Sequence, residues 1–341
     1  MLLYSPKWTL ATIAGTALLT GCASGGAISP APSGAVVLNQ APKAAGVAKS
    51  WMSPDARPHD RLIYISDSAT YDVYVFLANR DKLVGTLTNQ NNPAGLCADK
   101  RGDVYVTQLY GHQIVEYAHG GTKPIKTLSD PGYEPGACSV NPGTGNLAVA
   151  NIISDEFTQG NLLVYPNATG TPITYSPPGG SSGTWFSVNA VGYDDAGNAY
   201  LAGSCDSAFC AGVLPKGAAT TENVTLNGGS PKSPGTVQWN GEAMTFDDQS
   251  DGTLYSYKFS GTSGGEVGTV TLPGSADVDG SWVFSYCDHA FVCHNYAIAP
   301  QQNGADVLLY RYAGEQARLF TTFTGVTQPF GSTLSHREHK P

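Results

Sequence analysis

The chain has 341 residues, with 41 Gly, 22 Pro and 18 Tyr, only 13% charged residues and a net charge of −9. Helix formers are scarce and turn residues abundant, which points to an all-β protein long enough to bury a large core. Negative charge without any basic stretch argues against a nucleic-acid interface.

The N-terminus reads as a targeting segment. Lys7 precedes an apolar run from Thr9 to Leu19, too short to span a bilayer as a lone helix. The run ends in Leu19-Thr20-Gly21-Cys22, which resembles a bacterial lipobox. That resemblance implies a signal peptide over 1–21 and acylation (palmitate or a similar chain) of the Cys22 thiol. With Ala23 rather than Asp next, it implies a lipid-anchored place in the bacterial cell envelope, at the outer membrane. The alternative is an ordinary cleaved signal with an incidental cysteine. Residues 22–59 are rich in Gly, Ala, Ser and Pro and read as a flexible tether.

The globular part is expected over 60–335. Alternating and β-branched runs predict strands over 62–67, 72–76 and 83–87. The stretch 93–128, PAGLCADKRGDVYVTQLYGHQIVEYAHGGTKPIKTL, is the clearest unit. It gives an apolar run from Pro93, a tight turn at Gly102, and strands over 104–107, 113–117 and 124–128. Four short strands on a period of about 40 to 50 residues point to a propeller blade. A second copy opens at Pro135-Gly136-Ala137-Cys138. A third shares Asp194, Gly197 and Tyr200 with Asp99, Gly102 and Tyr105 at equal spacing. The fourth blade is expected to end near Leu226. A fifth runs from Gly235 through 243–246, 253–259 and 267–272, and a sixth uses 282–286, 291–299, 307–312 and 317–323. The first blade lacks its opening strand, and 328–334 supplies one. The expected fold is therefore an all-β, six-bladed β-propeller of four-stranded antiparallel blades. Strands from both ends close the ring, and a loose tail follows over 336–341.

These openings resemble the NHL-repeat propellers, whose blades carry Pro-x-Gly-apolar-x-x-Asp, a Gly turn, then Asn/Asp-apolar-Tyr-Val. Gluconolactonases and streptogramin lyases share the related fold. The resemblance implies architecture and leaves activity open.

Setting Cys22 aside leaves six cysteines, an even number for an oxidising compartment. The expected pairs are Cys205 with Cys210, Cys287 with Cys293, and Cys97 with Cys138, which lie on the first strands of consecutive blades. Six buried free thiols are the alternative.

Loops between second and third strands, and between blades, should crowd one face around the channel mouth. That face collects acidic and aromatic residues: Asp67, Tyr110, His112, Asp155, Glu156, Phe157, Trp185, Asp206 and Phe209, with Asp248, Asp251, Asp277 and Asp279 beyond them. Aromatic faces stack on sugars and on cations, so a saccharide or an envelope protein is the expected partner class. Solvated acidic loops with aromatic anchors are the plain alternative. The gluconolactonase resemblance implies a divalent metal, calcium by its oxygen ligands, for which Asp67, Asn151 and Asn189 are the candidates. No matching Glu accompanies them, and no Gly-x-Ser-x-Gly elbow is present. The favoured reading is a monomeric, non-catalytic binding scaffold without a cofactor. A metal-dependent lactonase, esterase or lyase using the channel is the alternative.

Overall fold

The structure, a computed structural model, describes residues 49–78, 81–179, 184–206, 208–287 and 293–337, without the Cys287 side chain. The signal segment, Cys22, most of the tether and residues 338–341 lie outside the described residues.

Six antiparallel sheets form the blades of a β-propeller. Blade 1 takes its inner strand from the far end of the chain, Pro329–Ser335, followed outward by Leu62–Asp67, Asp72–Leu77 and Lys82–Leu87. Blade 2 runs Pro93–Ala98, Val104–Gln108, Gln113–Tyr117 and Pro124–Ser129. Blade 3 runs Tyr133–Val140, Leu147–Ser154, Gln159–Tyr165 and Ile173–Tyr175. Blade 4 runs Trp185–Tyr193, Ala199–Cys205, Ala208–Leu214 and Glu222–Asn223. Blade 5 runs Pro234–Trp239, Met244–Asp248, Thr253–Ser260 and Ser263–Thr271. Blade 6 runs Trp282–Cys287, Cys293–Gln301, Asp306–Ala313 and Gln316–Phe323.

Two outer edges differ from expectation. Trp51–Met52, read as tether, pairs antiparallel with Lys82–Leu87 as a fifth strand, and the Met52 sulfur sits where a Cβ on Gly85 would be. Leu226, expected to close blade 4, lies in Thr225–Asn227, which crosses over to pair in parallel with the outer strand of blade 5. An unpaired outer edge is open to any extended segment that reaches it.

The strands nearest the axis, such as Leu62–Asp67, Pro93–Ala98 and Val104–Gln108, are buried on both faces and read as nearly continuous apolar runs. Leu62 and Tyr64 pack with Leu96, Val104 and Val106 across the seam between blades 1 and 2. Ile63 and Ile65 point the other way, onto Ile298, Leu309 and Phe323 of blade 6. The remaining four seams carry cores of the same kind. The period-2 alternation of a strand thus serves two neighbours at once.

Glycine brings several inner strands into direct backbone contact near the axis. A Cβ on Gly331 would fall 2.4 Å from the Ala94 carbonyl oxygen, and one on Gly95 would fall 2.4 Å from that of Gly136. Cys97 and Cys138 then join the inner strands of blades 2 and 3 as a disulfide with Cα atoms 5.7 Å apart. Cys205 and Cys210 form a second disulfide across a blade 4 hairpin. Cys293 is also disulfide-bonded, and the backbone register places it opposite Cys287.

Candidate functional site: the channel and its collar

A collar of polar side chains surrounds one channel mouth. In four blades the residue opposite the inner-strand proline is polar: Asp67 faces Pro329, Gln108 faces Pro93, Asn151 faces Pro135 and Asp248 faces Pro234. Each holds the loop arriving from the preceding blade. Asp67 accepts from the backbone N–H groups of Ala69, Thr70, Thr327 and Gln328 at 3.0, 3.0, 2.6 and 3.3 Å. Asp248 does the same for Lys232 and Ser233. Gln108 Nε2 donates to Gln90, and Asn151 Nδ2 donates to Asp130. In the other two blades Asp206 accepts from Thr184 N–H and Gln301 from Ala276 N–H. A carboxylate or amide at a strand end satisfies amide groups that a tight turn leaves without partners.

The collar takes up several residues read from sequence as ligand-facing. Asp67 and Asp206 accept from neighbouring loops, while Asn151 Nδ2 donates to Asp130 and Asn161 and leaves its buried Oδ1 without a partner. Trp185 is buried at 1% exposure in the core between blades 3 and 4. Phe209 packs edge-on against Phe246, ring centroids 6.3 Å apart. Tyr110 is half-buried against Ala94, Leu109 and Phe330. The structure does gather His112 and Asp155, with Nδ1 3.4 Å from Oδ1 while the same nitrogen donates to the Tyr133 carbonyl at 2.7 Å. Burial, with Asp155 adding to it, raises the nearby Glu134 carboxyl. Glu156 is exposed, and Phe157 beside it is 77% exposed. Of the three metal candidates, only Asn189 lines the central cavity, where its Oδ1 accepts from Ser187 Oγ at 2.6 Å. Among the described residues, no three His, Cys, Asp or Glu side chains gather as a metal site.

Beside this group, Asp130 is buried with Oδ2 unpartnered. Burial pushes its carboxyl up to about 7, partly offset by the Asn151 hydrogen bond. Between the ordinary carboxylate range and that value, the folded protein holds a proton that the unfolded chain has released. Stability from this group is therefore greatest below the window and falls as pH rises through it. Asp130→Asn keeps an acceptor for Asn151 and removes the charge. Urea unfolding at pH 5 and pH 8 should show the variant gaining on wild type by about 2 kcal/mol between the two. An unchanged gap would mean that the carboxyl titrates normally.

The central cavity, of about 50 Å³, is bounded by inner strands and lined in part by Asn189, Thr236, Gln238, Asp279, Ser281 and Trp282. Half-buried Asp279 stands in its wall, and Asp247 lies buried against Gly235, which also lines it. Asp279 accepts a short hydrogen bond from Gln249 Nε2 through Oδ1, and its Oδ2 has no partner. Burial, then the charge of Asp277, pushes it up to about 8. Asp247, on the second strand of blade 5, is raised well above the usual carboxylate range by burial and by Asp248, Asp279 and Asp251. The Ser281 hydroxyl leans toward Asp247, but neither carboxylate oxygen has a partner of good hydrogen-bond geometry. Sequence reading placed Asp279 on the mouth and missed Asp247, because Phe246-Asp247-Asp248 looks like a strand running out into a solvated turn.

A second concavity, of about 650 Å³, lies between blades 4 and 5 at the other end of the strands. Half-buried Trp239 and Phe259, with Tyr200 and Tyr257, make its wall; Asp194, Asp195, Glu222 and Glu242 are on its rim. Tyr200 and Phe259 are in ring contact at 4.5 Å between centroids. Burial and the charge of Asp194 push the Tyr200 hydroxyl up to about 12, so it stays a neutral hydrogen-bonding group.

The architecture defines the class, a six-bladed β-propeller. No protein-family model matches the chain, and no curated protein does. Among solved structures, a chain of the nidogen/laminin complex is similar at TM-score 0.58 and 12% identity, covering 81% of this chain and 98% of that one. A functionally unknown protein from Desulfotomaculum acetoxidans DSM 771 is similar at TM-score 0.56 and 10% identity, covering 81% and 99%. A streptogramin B lyase gives TM-score 0.47 and 14% identity, covering 76% and 73%. At such identities the likeness shows a shared fold alone.

Proposed function

We propose that this protein is a lipid-anchored β-propeller of the bacterial cell envelope, built from NHL-like repeats, that binds an envelope protein without transforming it. The anchor is Cys22 of the lipobox-like Leu19-Thr20-Gly21-Cys22, the destination is the outer membrane, and the propeller acts as a monomer. The observation that carries the binding reading is the groove between blades 4 and 5, an aromatic wall under a carboxylate rim. Aromatic faces attract cations and the rim supplies opposite charge, so a Lys- and Arg-rich segment of the partner fits it. The nidogen propeller of similar fold was determined within a protein complex. An equivalent role here is part of the proposal.

A synthetic Lys/Arg-rich peptide titrated against the protein, followed by tryptophan fluorescence, tests this. Binding should weaken at high salt and weaken at least tenfold in Trp239→Ala, by loss of about 1.4 kcal/mol or more. Binding of a neutral oligosaccharide in place of the peptide would replace the partner class. Binding of neither would remove the groove as a site.

A further inference from the structure

A set of oxygen atoms in the channel wall is left unused by the groove between blades 4 and 5. At the position just before the collar residue, blades 1 and 2 place hydroxyl groups. Ser66 Oγ donates to the Ala94 carbonyl at 2.5 Å, and Thr107 Oγ1 lies 3.0 Å from the carbonyl oxygens of both Gly95 and Gly136. These hydroxyls answer the lone pairs of neighbouring inner strands. Blade 5 places Asp247 at the same position. An ionised carboxylate has no hydrogen to give, and it adds negative charge where its counterparts supply a donor.

The surroundings sharpen the mismatch. The inner strand passes directly over Asp247: a Cβ on Gly235 would lie 2.9 Å from its carbonyl oxygen and 3.0 Å from Cγ. Asp247 is completely buried and both of its carboxylate oxygens lack partners. Asp279, half-buried as a residue, lines the cavity from the side of blade 6, with its Oδ2 atom buried and unpartnered. Asp248, Asp251 and Asp277 act on this pair, and all three are of like sign. Lys232, the cation near them, is turned to Asp251 at 2.9 Å and is 73% exposed at its side chain. Buried anionic oxygens without a counter-charge are costly, and proteins offset them with a proton, a basic side chain or a metal.

We propose that Asp247 and Asp279 are the anionic ligands of a binding site for a hard metal cation of the calcium class, set in the channel wall between blades 5 and 6. The hydroxyls of Ser281 and Thr236, paired at 2.6 Å, stand beside it. Such cations take oxygen ligands only and tolerate irregular geometry, completing their shells with water. Backbone contacts at Gly95, Gly280 and Gly331 narrow the axis, which favours an ion over a bulkier organic ammonium. A bound ion would staple the second strand of blade 5 to the inner edge of blade 6.

Terbium is the probe, since it substitutes for calcium and emits when a nearby indole is excited; Trp282 lines the same cavity. The full-length chain should show saturable sensitised emission at one site, displaced by excess calcium. Asp279→Asn and Asp247→Asn should each weaken it at least tenfold. Both are isosteric and remove a buried charge, so their melting temperatures without metal should equal or exceed wild type, which separates loss of the site from loss of the fold. Glu242→Gln, on the outer groove, should leave the titration unchanged. Absence of saturable emission would overturn the proposal and leave a protonated acid pair. So would emission that survives both Asn variants, or emission lost with Glu242→Gln.

Discussion

Asp67→Ala is expected to lower the unfolding free energy by about 4 kcal/mol, because it leaves four backbone N–H groups on two loops without their acceptor. Two of those groups, on Thr327 and Gln328, lie some 260 residues away in sequence, where the chain returns to close the ring. The loss should fall on ring closure first. Hydrogen exchange should show Pro329–Ser335 and Leu62–Asp67 opening together while the seams of blades 3 to 5 stay protected. Asp67→Asn keeps one acceptor oxygen and should cost roughly half as much. The terbium titration should be unaffected in a folded Asp67→Asn protein. A substitution that removed ion binding at little cost to stability would return Asp67 to the role of ligand.

Breaking the disulfide between Cys97 and Cys138 is the second large effect. The bond closes a loop of 41 residues between inner strands. The chain-entropy relation gives about 4 kcal/mol for a loop of that size. Cys97→Ala combined with Cys138→Ala should therefore lower the midpoint by about 10 °C in a calorimetric scan. The hairpin bond between Cys205 and Cys210 spans 5 residues, and the same relation gives about 2 kcal/mol. Equal losses from the two would show that native-state packing, rather than loop closure, sets the contribution of each.

What could be read from the sequence was local. Asp99, Asn141, Asp194 and Asn240 each accept two backbone N–H groups from their own following turn, within four residues. Asx-turn chemistry therefore leaves a mark at fixed spacing, and that mark gave the blade repeat and most strands to within a few residues. The collar leaves no such mark. Asp67, Asp206 and Asp248 look like loop carboxylates until the partner loop, from 15 to 261 residues distant, is in place. Trp185 looked like a mouth aromatic because the strand that buries it was hidden in a Gly- and Ser-rich stretch. Asp247 was invisible for a related reason. Its neighbours along the chain are those of an exposed strand end, and its burial comes from Gly235 and Ser281 on other strands. The edge strands Trp51–Met52 and Thr225–Asn227 were missed because two or three residues hold no period.

The inner strand of blade 1 has a consequence for how the molecule is made. Among the described strands, Pro329–Ser335 is the last to leave the ribosome. Until it arrives, Leu62–Asp67 carries a bare edge, Ser66 lacks Gly331, and Asp67 holds only half of its partners. Blades 2 to 6 have all their strands in sequence order and can form as the chain emerges. The earliest-made blade is thus the last to be completed, and the time it waits grows with the speed at which the other five are delivered. A holdase that shields a single β-edge would protect this protein, and the edge it must cover is Leu62–Asp67.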